Sequence, residues 1–482
     1  MSSAPRERRA AGALARISDF VTRAAERFVP DAFVFALAAT LVVVALARVF
    51  GHAGIGEIAD AWGGGLWDLL PFTMQMALVV ITGYVLATAA PVHAVIRALS
   101  ALPRTPRTAT AMVALFAMAS SWLNWGFSLV FTAMLALEIA RRFEAANERI
   151  DYRALAASSL LGLGSVWAQG LSGSAALQMA TPSALPAAIR TIVEGNGQVP
   201  GGVIGLGSTI FLWQSFVSVL VEIALVTALV YAITPGGDKA MTARDAGIAL
   251  PPAPEPTPRI AFTLAHPAER LEHSRFVPLA IVALGAFYLA RYFHAAPSVP
   301  NAVTLNSINL AFLLLGMLLH GTPHRFMIAV RDAVPAVWGI LLQFPFYAGI
   351  AAIMTKTHLS GEIARAFVSV SNQGTYPAAI AMYSLVLGVF VPSGGSKWII
   401  EAPYVMGAAH ELRVHLGWMV CVYDLGEALA NLVQPFWMLP VLGLFKLKAR
   451  DVMGYTFLVF VVLLPTVLVL VTLLARTLHY PL

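Results

Sequence analysis

The longest stretch of the chain without Asp, Glu, Lys or Arg covers 36 residues, from residue 154 to residue 189. A straight helix of that length would measure about 54 Å, whereas the hydrocarbon core of a bilayer is about 30 Å thick. The polar string LSGSAALQMATP occupies residues 171–182, inside this stretch. The sequence therefore predicts a membrane segment whose helix is broken near its middle.

The composition indicates a membrane protein with many spans. Of the 482 residues, 59% are hydrophobic and 12% are charged, whereas about 25% of the residues of a typical soluble domain are charged. There is too little charge to cover soluble globules, which excludes a soluble enzyme. The apolar stretches are long and continuous rather than short and alternating, which disfavours a β-barrel and favours an all-α polytopic membrane protein.

A basic segment precedes the first apolar stretch. Its arginines are Arg6, Arg8, Arg9, Arg16, Arg23 and Arg27. Such clusters are typical of the cytoplasmic side of a membrane protein, so we expect the N-terminus inside and no nucleic-acid partner. No small-residue cleavage site follows an apolar core in these first 27 residues, so we do not expect a cleaved signal peptide.

The other uncharged stretches, together with a polar and proline-rich stretch at 235–275, divide the chain into two membrane repeats. We predict a basic amphipathic N-terminus at 1–30, repeat 1 at 31–234, a cytoplasmic linker at 235–275, a connecting span at 276–298 and repeat 2 at 299–482. Full crossings are expected at 32–47, 71–96, 203–234, 277–294, 306–320, 332–355 and 452–475. Two broken helices, at about 154–190 and about 414–446, bring the expectation to about nine crossings.

The distribution of basic residues predicts two re-entrant hairpins, at about 108–140 and about 376–412. If each hairpin enters and leaves on the same side, the outside loops 49–70 and 295–305 contain no Lys or Arg. If either hairpin crossed the membrane fully, the loops after it would change sides, and the excess of Lys and Arg on the cytoplasmic side would be smaller. This arrangement inverts the two repeats and places the C-terminus outside.

Similar strings occur in the same order in both repeats. The hairpin tips read SWLNWG and SGGSKW, and the strings GSAALQMATP and GEALANLVQP then span 173–182 and 426–435. Unwound backbone at membrane depth needs protein, water or a ligand to satisfy its polar groups. Paired breaks therefore indicate a transport site near the midplane. The alternative is a set of Gly/Pro kinks that only shape helix packing.

Candidate binding residues come from both repeats. They are Ser121, Asn124, Ser172, Gly173, Ser174, Gln178, Thr181, Ser393, Gly394, Gly395, Ser396, Lys397, Asp424, Glu427 and Asn431. In the first repeat they offer hydroxyl and amide groups, which we expect to meet near Asn124. Hydrogen bonding between helices is the alternative role for these groups.

Repeat 2 places four ionisable residues in or near the apolar zone, where an unpaired charge costs several kcal/mol. Lys397 has three open roles: it binds a substrate carboxylate, pairs with Asp424 or Glu427, or pairs with Glu401 one turn away. Asp424 and Glu427 share a helix face at i, i+3, and close carboxylates favour retention of a proton by one of them.

Two other roles for these carboxylates stay open. One is a sodium site near Asn124, Ser174, Ser396 and Asp424. The other is capping of a half-helix that begins near Gly426, by Asp424 or Glu427.

Four strings also resemble a known family. They are MQMALVVITGYVLA (74–87), SSWLNWGFSLV (120–130), GLSGSAALQMATP (170–182) and PSGGSKWIIEAP (392–403). They resemble the bacterial short-chain fatty acid transporter family, associated with acetoacetate and butyrate uptake, over about residues 28–475. The resemblance implies a multi-pass protein of the bacterial inner membrane, inverted repeats, an elevator-like movement and a homodimer.

We therefore expect a secondary active transporter that takes up short monocarboxylates by symport with a proton or sodium, with no further cofactor. Its partners are a small carboxylate substrate and the lipid bilayer. A carrier for other organic anions, such as dicarboxylates, is the alternative. A membrane enzyme acting on acyl groups is disfavoured, because no catalytic His/Asp or His/Glu pair, metal cluster or phosphate loop lies near the candidate site.

Overall fold

Long apolar helices alternate with short amphipathic ones in the computed structural model, which describes residues 32–250, 266–296, 299–390, 394–434 and 437–482. In the first half the helices are α1 (Ala32–Val49), α2 (Ile55–Gly65), α3 (Leu70–Ala87), α4 (Ala90–Ser100), α5 (Pro106–Leu123), α6 (Trp125–Ala145), α7 (Tyr152–Leu160), α8 (Ser174–Ala180), α9 (Ala187–Glu194) and α10 (Trp213–Ile233). In the second half they are α11 (Pro267–Glu272), α12 (Phe276–Ala295), α13 (Val299–Ala302), α14 (Leu305–His320), α15 (Pro323–Ala333), α16 (Trp338–Lys356), α17 (Leu359–Val370), α18 (Tyr376–Phe390), α19 (Gly394–Glu411), α20 (Leu416–Ala430), α21 (Leu439–Phe445) and α22 (Ala449–Ala475). Short 3₁₀ turns cover Val166–Gln169, Pro182–Ala184, Pro200–Gly202, Leu206–Ser208, Gly237–Lys239 and Val334–Ala336.

Five of the described helices are long and apolar enough to cross a membrane: α3, α10, α12, α16 and α22. Shorter apolar segments lie at Ala36–Val49, Leu305–His320 and Tyr376–Val389. On α12, large apolar side chains such as Phe276 and Leu284 are exposed at 77% and 68%. Apolar surface of this kind is stable against lipid tails rather than water, as expected for an all-α membrane fold.

The two repeats pack against each other reciprocally. Helix α1 packs against α16, and α14 packs against α3; likewise α2 contacts α16, and α15 contacts α3. At one of these interfaces the Gln75 side chain donates to Asn306 Oδ1 at 2.8 Å, and Asn309 donates to the Gln75 carbonyl at 2.8 Å. The predicted fold class of two inverted repeats is confirmed, and each repeat has a hairpin and a broken helix.

Two helices replace the single crossing expected at 71–96. Helix α3 ends at Ala87, and the amphipathic α4 begins at Ala90 with a proline in its first turn. Ala89 is extended, with ψ of 140°, as is usual for the residue that precedes the first turn of a helix, and Pro91 lies in that first turn, where its missing N–H breaks no hydrogen bond of the helix. Similarly, α10 begins at Trp213 rather than at 203, after a turn at Leu206–Ser208.

The first hairpin consists of α5 and α6, which meet at Asn124. Asn124 is extended, with φ of −158°, and its Oδ1 accepts a hydrogen bond from the Phe127 N–H at 2.8 Å, so that it caps α6. Gly83 of α3 permits this tip to approach closely, since a Cβ there would lie 2.5 Å from Asn124 Oδ1. The second hairpin consists of α18 and α19; Ser393 lies between them, outside the described residues.

The first broken helix is interrupted as expected, but the interruption lies mostly before the polar string 171–182, whose residues 174–180 are helical. Helix α7 ends at Leu160, a 3₁₀ turn follows, and α8 begins at Ser174, directly after Gly173. The segment 161–173 between α7 and α8 is called the first break below.

The second broken helix is interrupted within residues 424–435, as expected, but only at the end of that string and not near Gly426. Helix α20 continues through Asp424, Gly426 and Glu427 to Ala430, so neither acid caps a half-helix there, and the interruption begins at Asn431. Gly426 serves packing instead, because a Cβ there would lie 2.3 Å from the Ala381 carbonyl oxygen of α18. Consequently the strings that begin at Gly173 and Gly426 lie on opposite sides of their breaks and are not structurally equivalent.

Outside the membrane segments, the described start of the linker is fastened to the first repeat. Arg149 donates to Asp245 Oδ2 at 2.7 Å, and the Tyr152 N–H donates to the Met241 carbonyl at 2.8 Å. Hydrogen bonds from Thr242, followed by the charge of Arg149, lower the pKa of Asp245. Residues 235–250 therefore form an ordered lid on the ends of α6 and α7 rather than a free linker.

Candidate functional site

The polar groups of the two repeats meet where α8 packs against α19 and α20. Gln178 Nε2 donates to the Gly395 carbonyl at 2.9 Å, and the Ala175 N–H donates to Asp424 Oδ2 at 3.2 Å. The sequence predicts that Ser174 and Gln178 gather around the first hairpin tip. The structure instead places Gln178 and the beginning of α8 against the second hairpin, so one site is shared by both repeats.

Lys397 lies at the centre of this site and is fully buried. Its Nζ is 2.8 Å from Glu427 Oε2 and 3.9 Å from Glu401 Oε1. It also donates to the carbonyl and hydroxyl oxygens of Ser384, at 2.7 and 2.8 Å. Of its three open roles, the described conformation shows two: a close ion pair with Glu427, which fastens α19 to α20, and a longer one with Glu401, one turn away on α19. The bonds to Ser384 fasten α19 to α18.

The site contains more carboxyl groups than cations. Glu401, Asp424 and Glu427 are each fully buried, and among the described residues Lys397 forms the ion pairs with Glu401 and Glu427. Asp424 Oδ1, Glu427 Oε1 and both Glu401 carboxylate oxygens have no hydrogen-bond partner in that part of the chain. Because an isolated buried carboxylate is very costly, the surplus requires a bound proton or cation.

A cavity of about 40 Å³ borders this cluster. Its residues are Met76, Trp125, Leu163, Trp167, Ser174, Ile340, Phe344, Gly394, Gly395, Glu427, Asn431 and Trp437. Apolar side chains dominate the lining, while Glu427, Asn431 and Ser174 supply polar groups. The lining combines α3 and α16 of the packed repeat core with the hairpins and breaks.

Two glycines bring the beginning of α19 against this cavity. A Cβ on Gly394 would lie 2.8 Å from Trp167 Cη2 and 3.2 Å from Asp424 Oδ1. A Cβ on Gly395 would lie 2.9 Å from Phe72 Cζ and 3.2 Å from Ser174 Cβ. Only glycine allows this approach without displacing an aromatic ring.

The first hairpin and first break form the other side of the site. The Ser172 hydroxyl accepts from the Trp125 N–H at 2.9 Å, and the Leu171 N–H donates to the Trp122 carbonyl at 2.6 Å. Asn124 Nδ2 and the Ser121 hydroxyl are buried and have no partner among the described residues. The tip therefore presents an amide donor and a hydroxyl group that its own backbone does not use.

Some predicted residues have other surroundings. Thr181 accepts from the Leu305 N–H at 3.2 Å, at the beginning of α14 and apart from the charged cluster. Asn431 donates to the Leu163 carbonyl at 3.2 Å, so it ties the second break to the first. Ser393 and the Ser396 side chain lie outside what the structure describes.

Sequence reasoning missed several residues of the site. Ser384 bonds Lys397, Tyr423 places its ring 4.9 Å from Lys397 Nζ, and Trp437 contacts Trp125 with ring centroids 5.2 Å apart. An isolated serine within the apolar helix α18 was the available signal for Ser384. The aromatic residues carry no such signal, because apolar rings are common throughout the chain.

Comparison with known proteins decides the family. The sequence profile described as short chain fatty acid transporter matches residues 13–475. The chain belongs to the short-chain fatty acid transporter family. The resemblance of the four strings is thereby confirmed. As a member of a transporter family, the chain is not an enzyme, and it is a multi-pass protein of the bacterial inner membrane.

Two curated relatives match nearly the whole of this chain. A putative short-chain fatty acid transporter of Escherichia coli K12 is 36% identical over 443 residues, which cover 92% of this chain and 96% of the relative. A protein of the same description from Haemophilus influenzae is 34% identical over 445 residues, covering 92% and 96%.

Solved structures share the fold at low sequence identity. The YdaH transporter of Alcanivorax borkumensis superposes with a TM-score of 0.61 at 14% identity, covering 92% of this chain and 98% of YdaH. MtrF of Neisseria gonorrhoeae, described with a class of antimetabolite efflux pumps, has a TM-score of 0.62 at 12% identity, covering 96% and 99%. At this identity the likeness shows a common fold alone.

Proposed function

We propose that this transporter takes up short monocarboxylates, of the butyrate and acetoacetate type, by symport with protons. The observation that carries the proposal is the excess of carboxyl groups over cations beside the cavity: Glu401, Asp424 and Glu427 against Lys397. Sodium is disfavoured between Glu427 and Glu401, because the Lys397 ammonium group lies 2.8 Å from one and 3.9 Å from the other. A second cation there would be repelled.

The Lys397–Glu427 ion pair supplies a coupling step. A proton taken up by Glu427 neutralises its carboxylate and frees the Lys397 ammonium group for another anion. A short fatty acid is ionised near neutral pH, so its carboxylate replaces that of Glu427 as the partner of Lys397. Binding of the anion then requires binding of the proton, which is the condition for symport.

The cavity lining matches the remainder of such a substrate. Trp125, Trp167 and Phe344 offer apolar rings for an acyl tail, and an apolar lining with a few polar groups is typical of small-molecule sites. The described conformation leaves about 40 Å³, little more than the volume of one water molecule, so even a short acid would enter only when the lining moves apart, and a long acid would need a larger movement. Lys397 is the one cation of the described site, which disfavours a second carboxylate on the substrate and hence dicarboxylates.

We further propose an elevator-like movement of the hairpins and breaks against a scaffold of α1–α3 and α14–α16. Support comes from the position of the cavity, whose lining includes Met76 and Phe344 of the scaffold opposite Gly394 and Trp167 of the moving part. Movement along this boundary would expose the cavity alternately on each side. Cross-linking of single cysteines across the boundary, tested in a Cys421→Ser background, would trap the two states.

Labelled butyrate uptake into proteoliposomes tests the proposal, with a proton gradient and a sodium gradient imposed separately. Accumulation with the proton gradient alone supports it, and accumulation with sodium alone replaces the proton by sodium. Competition by succinate stronger than that by butyrate would turn the assignment to dicarboxylates. Absence of accumulation under both gradients, with equilibration intact, would contradict symport.

We also propose a homodimer, which the family resemblance implies. The scaffold and α12 expose large apolar side chains, such as Phe276 and Phe287, that a second subunit or lipid would cover. Mass measurement of the purified protein in nanodiscs distinguishes the two, because a dimer doubles the protein mass per disc. A single copy per disc at all protein-to-disc ratios would contradict the homodimer.

A further inference from the structure

A second buried polar cluster lies in the first repeat, away from Lys397. It joins Gln169, at the end of the 3₁₀ turn in the first break, to Ser218 and Glu222 on α10. All three side chains are fully buried. Glu222 forms no ion pair with any described residue, unlike Glu427 of the second repeat.

The hydrogen bonds around Glu222 are unequal between its two oxygens. Oε1 accepts from Gln169 Nε2 at 2.8 Å and from the Ser218 hydroxyl at 2.9 Å. Oε2 has no partner among the described residues, and neither does Oε1 of the same Gln169 side chain. Two acceptor atoms are therefore left over on two groups that already share one hydrogen bond.

A single proton resolves both deficits. A carboxylic acid and a primary amide form a cyclic pair in which the amide N–H donates to the acid carbonyl and the acid O–H donates to the amide carbonyl. Glu222 Oε1, with its two donors, has the role of the carbonyl oxygen, and Oε2 has the role of the hydroxyl. An ionised Glu222 would leave a buried charge without a cation and two buried acceptors without donors.

We propose that Glu222 holds a resident proton and forms an acid–amide pair with Gln169, which fastens the first break to α10. The next residues of the break, Gly170 to Gly173, reach the first hairpin tip and lead into α8, so the pair positions one wall of the transport site. The proton at Glu222 stays bound during transport, in contrast to the proton proposed to move with the substrate at Glu427.

The neighbouring elements place no ion pair on Glu222. Helix α10 packs against α5 and α22, and Ser215 of α10 contacts Cys421 of α20 at 3.7 Å. The titratable or charged residues of these elements are Arg107 on α5, Tyr231 on α10, Arg450, Asp451 and Tyr455 on α22, and Cys421, Tyr423, Asp424 and Glu427 on α20. None of them forms a hydrogen bond or ion pair with Glu222 in the described structure.

Infrared difference spectroscopy of the purified protein at neutral pH tests the protonation state directly. The spectrum of the wild type minus that of Glu222→Gln should contain the carbonyl band of a protonated carboxylic acid, and the band should shift in D₂O. Ser218→Ala is the matched control: it removes one donor to Glu222 but keeps the pair, so its band should move without disappearing. A difference spectrum with carboxylate bands alone would overturn the proposal.

Stability and transport separate a resident proton from other roles. Glu222→Gln should keep its melting temperature within about 2 °C of the wild type, because its amide still donates to Gln169 and accepts from it. Gln169→Leu should melt at a lower temperature than both the wild type and Glu222→Gln, because it removes the amide that bonds Glu222. Equal losses for both variants would contradict the acid–amide pair.

Uptake gives the last readout, and it alone rests on the proposed symport. Glu222→Gln should accumulate butyrate under a proton gradient as the wild type does. Loss of accumulation with retained butyrate exchange would show that the Glu222 proton is transported and not resident. Failure of the wild type itself to accumulate butyrate would count against the proposed function, while the infrared result would still decide the state of Glu222.

Discussion

The Gln178 side chain donates a hydrogen bond of 2.9 Å to the carbonyl of Gly395, and so joins two residues 217 positions apart in the chain. Gln178 belongs to the helix after the first break, and Gly395 to the beginning of the second hairpin's return arm. Through this contact the inverted repeats share one site, in which the first contributes neutral polar groups and the second contributes charge.

Neutral substitutions of the two acids on α20 should separate exchange from accumulation. Glu427→Gln removes the carboxylate proposed to take up the coupling proton, and Asp424→Asn removes the neighbouring carboxylate on the same helix face, whose Oδ1 has no partner among the described residues and is the other candidate site for that proton. We expect both variants to exchange internal for external butyrate but to lose accumulation driven by a proton gradient. Glu222→Gln is the matched buried control, and it should keep accumulation. Normal gradient-driven accumulation in both α20 variants would refute this coupling site.

Lys397 should contribute to both stability and substrate affinity. Lys397→Gln leaves Glu427 and Glu401 buried without a cation, and removal of one partner of a buried pair costs about 3 to 5 kcal/mol. We expect a lower melting temperature and a higher apparent KM for butyrate.

The double variant Lys397→Gln/Glu427→Gln distinguishes the two contributions, because it removes both charges of the ion pair. Thermal unfolding should recover much of the lost stability, while the KM for butyrate should stay high. If the KM returns to the wild-type value together with the stability, Lys397 has a structural role alone.

A methyl group at Gly395 should disturb the cavity, whereas one farther along the same helix should not. A Cβ at Gly395 would lie 2.9 Å from Phe72 Cζ, whereas one at Gly407 would lie 3.5 Å from Ala364 Cβ, an ordinary contact. Overpacking costs about 1 to 3 kcal/mol, and Gly→Ala within a helix otherwise favours folding. Gly395→Ala should therefore lower uptake at least several-fold while Gly407→Ala stays near wild type. Equal uptake by the two variants would contradict the assignment of the cavity.

Asn124 has two functions that different substitutions separate. Its Oδ1 caps α6 by accepting from Phe127, and its Nδ2 is buried without a partner. Asn124→Ala should lose about 1 kcal/mol of stability with the cap, whereas Asn124→Ser keeps a capping oxygen. Both variants lack Nδ2, so both should show a raised KM for butyrate in uptake assays. Wild-type KM for Asn124→Ser would show that Asn124 acts as a cap alone.

Several features of the fold follow from local sequence. Charge-free intervals locate the membrane segments, since charged side chains are costly in lipid, and the excessive length of residues 154–189 predicts the first break. The tip at Asn124 was predictable, because this polar residue lies near the middle of the uncharged stretch 108–137 and divides it into two apolar arms of similar length. The exact position of the second break was not predictable, because Gly426 marks close packing on Ala381 rather than an interruption.

The split at 71–96 shows a similar limit. Pro91 was visible in the sequence, but proline occurs both within membrane helices and at their beginnings. Pro345 lies inside α16 without ending it, whereas α4 begins at the residue before Pro91. Whether a proline ends a helix depends on which neighbouring groups bond the backbone carbonyl that the proline leaves without an N–H partner, and those groups belong to other helices.

The sequence by itself determined that this chain is an all-helical membrane protein, which polar residues lie inside its apolar segments, and to which family it belongs. It also determined that Lys397, Asp424 and Glu427 need partners, since a buried charge without one is too costly. Only the tertiary structure decided that Lys397 bonds Ser384 and Glu427, and that Gln169 meets Glu222. The free-energy cost of burying a charged side chain depends on its depth in the membrane, and its position within an apolar segment of the sequence indicates that depth. The identity of its partner depends on how helices that are distant in the sequence pack together.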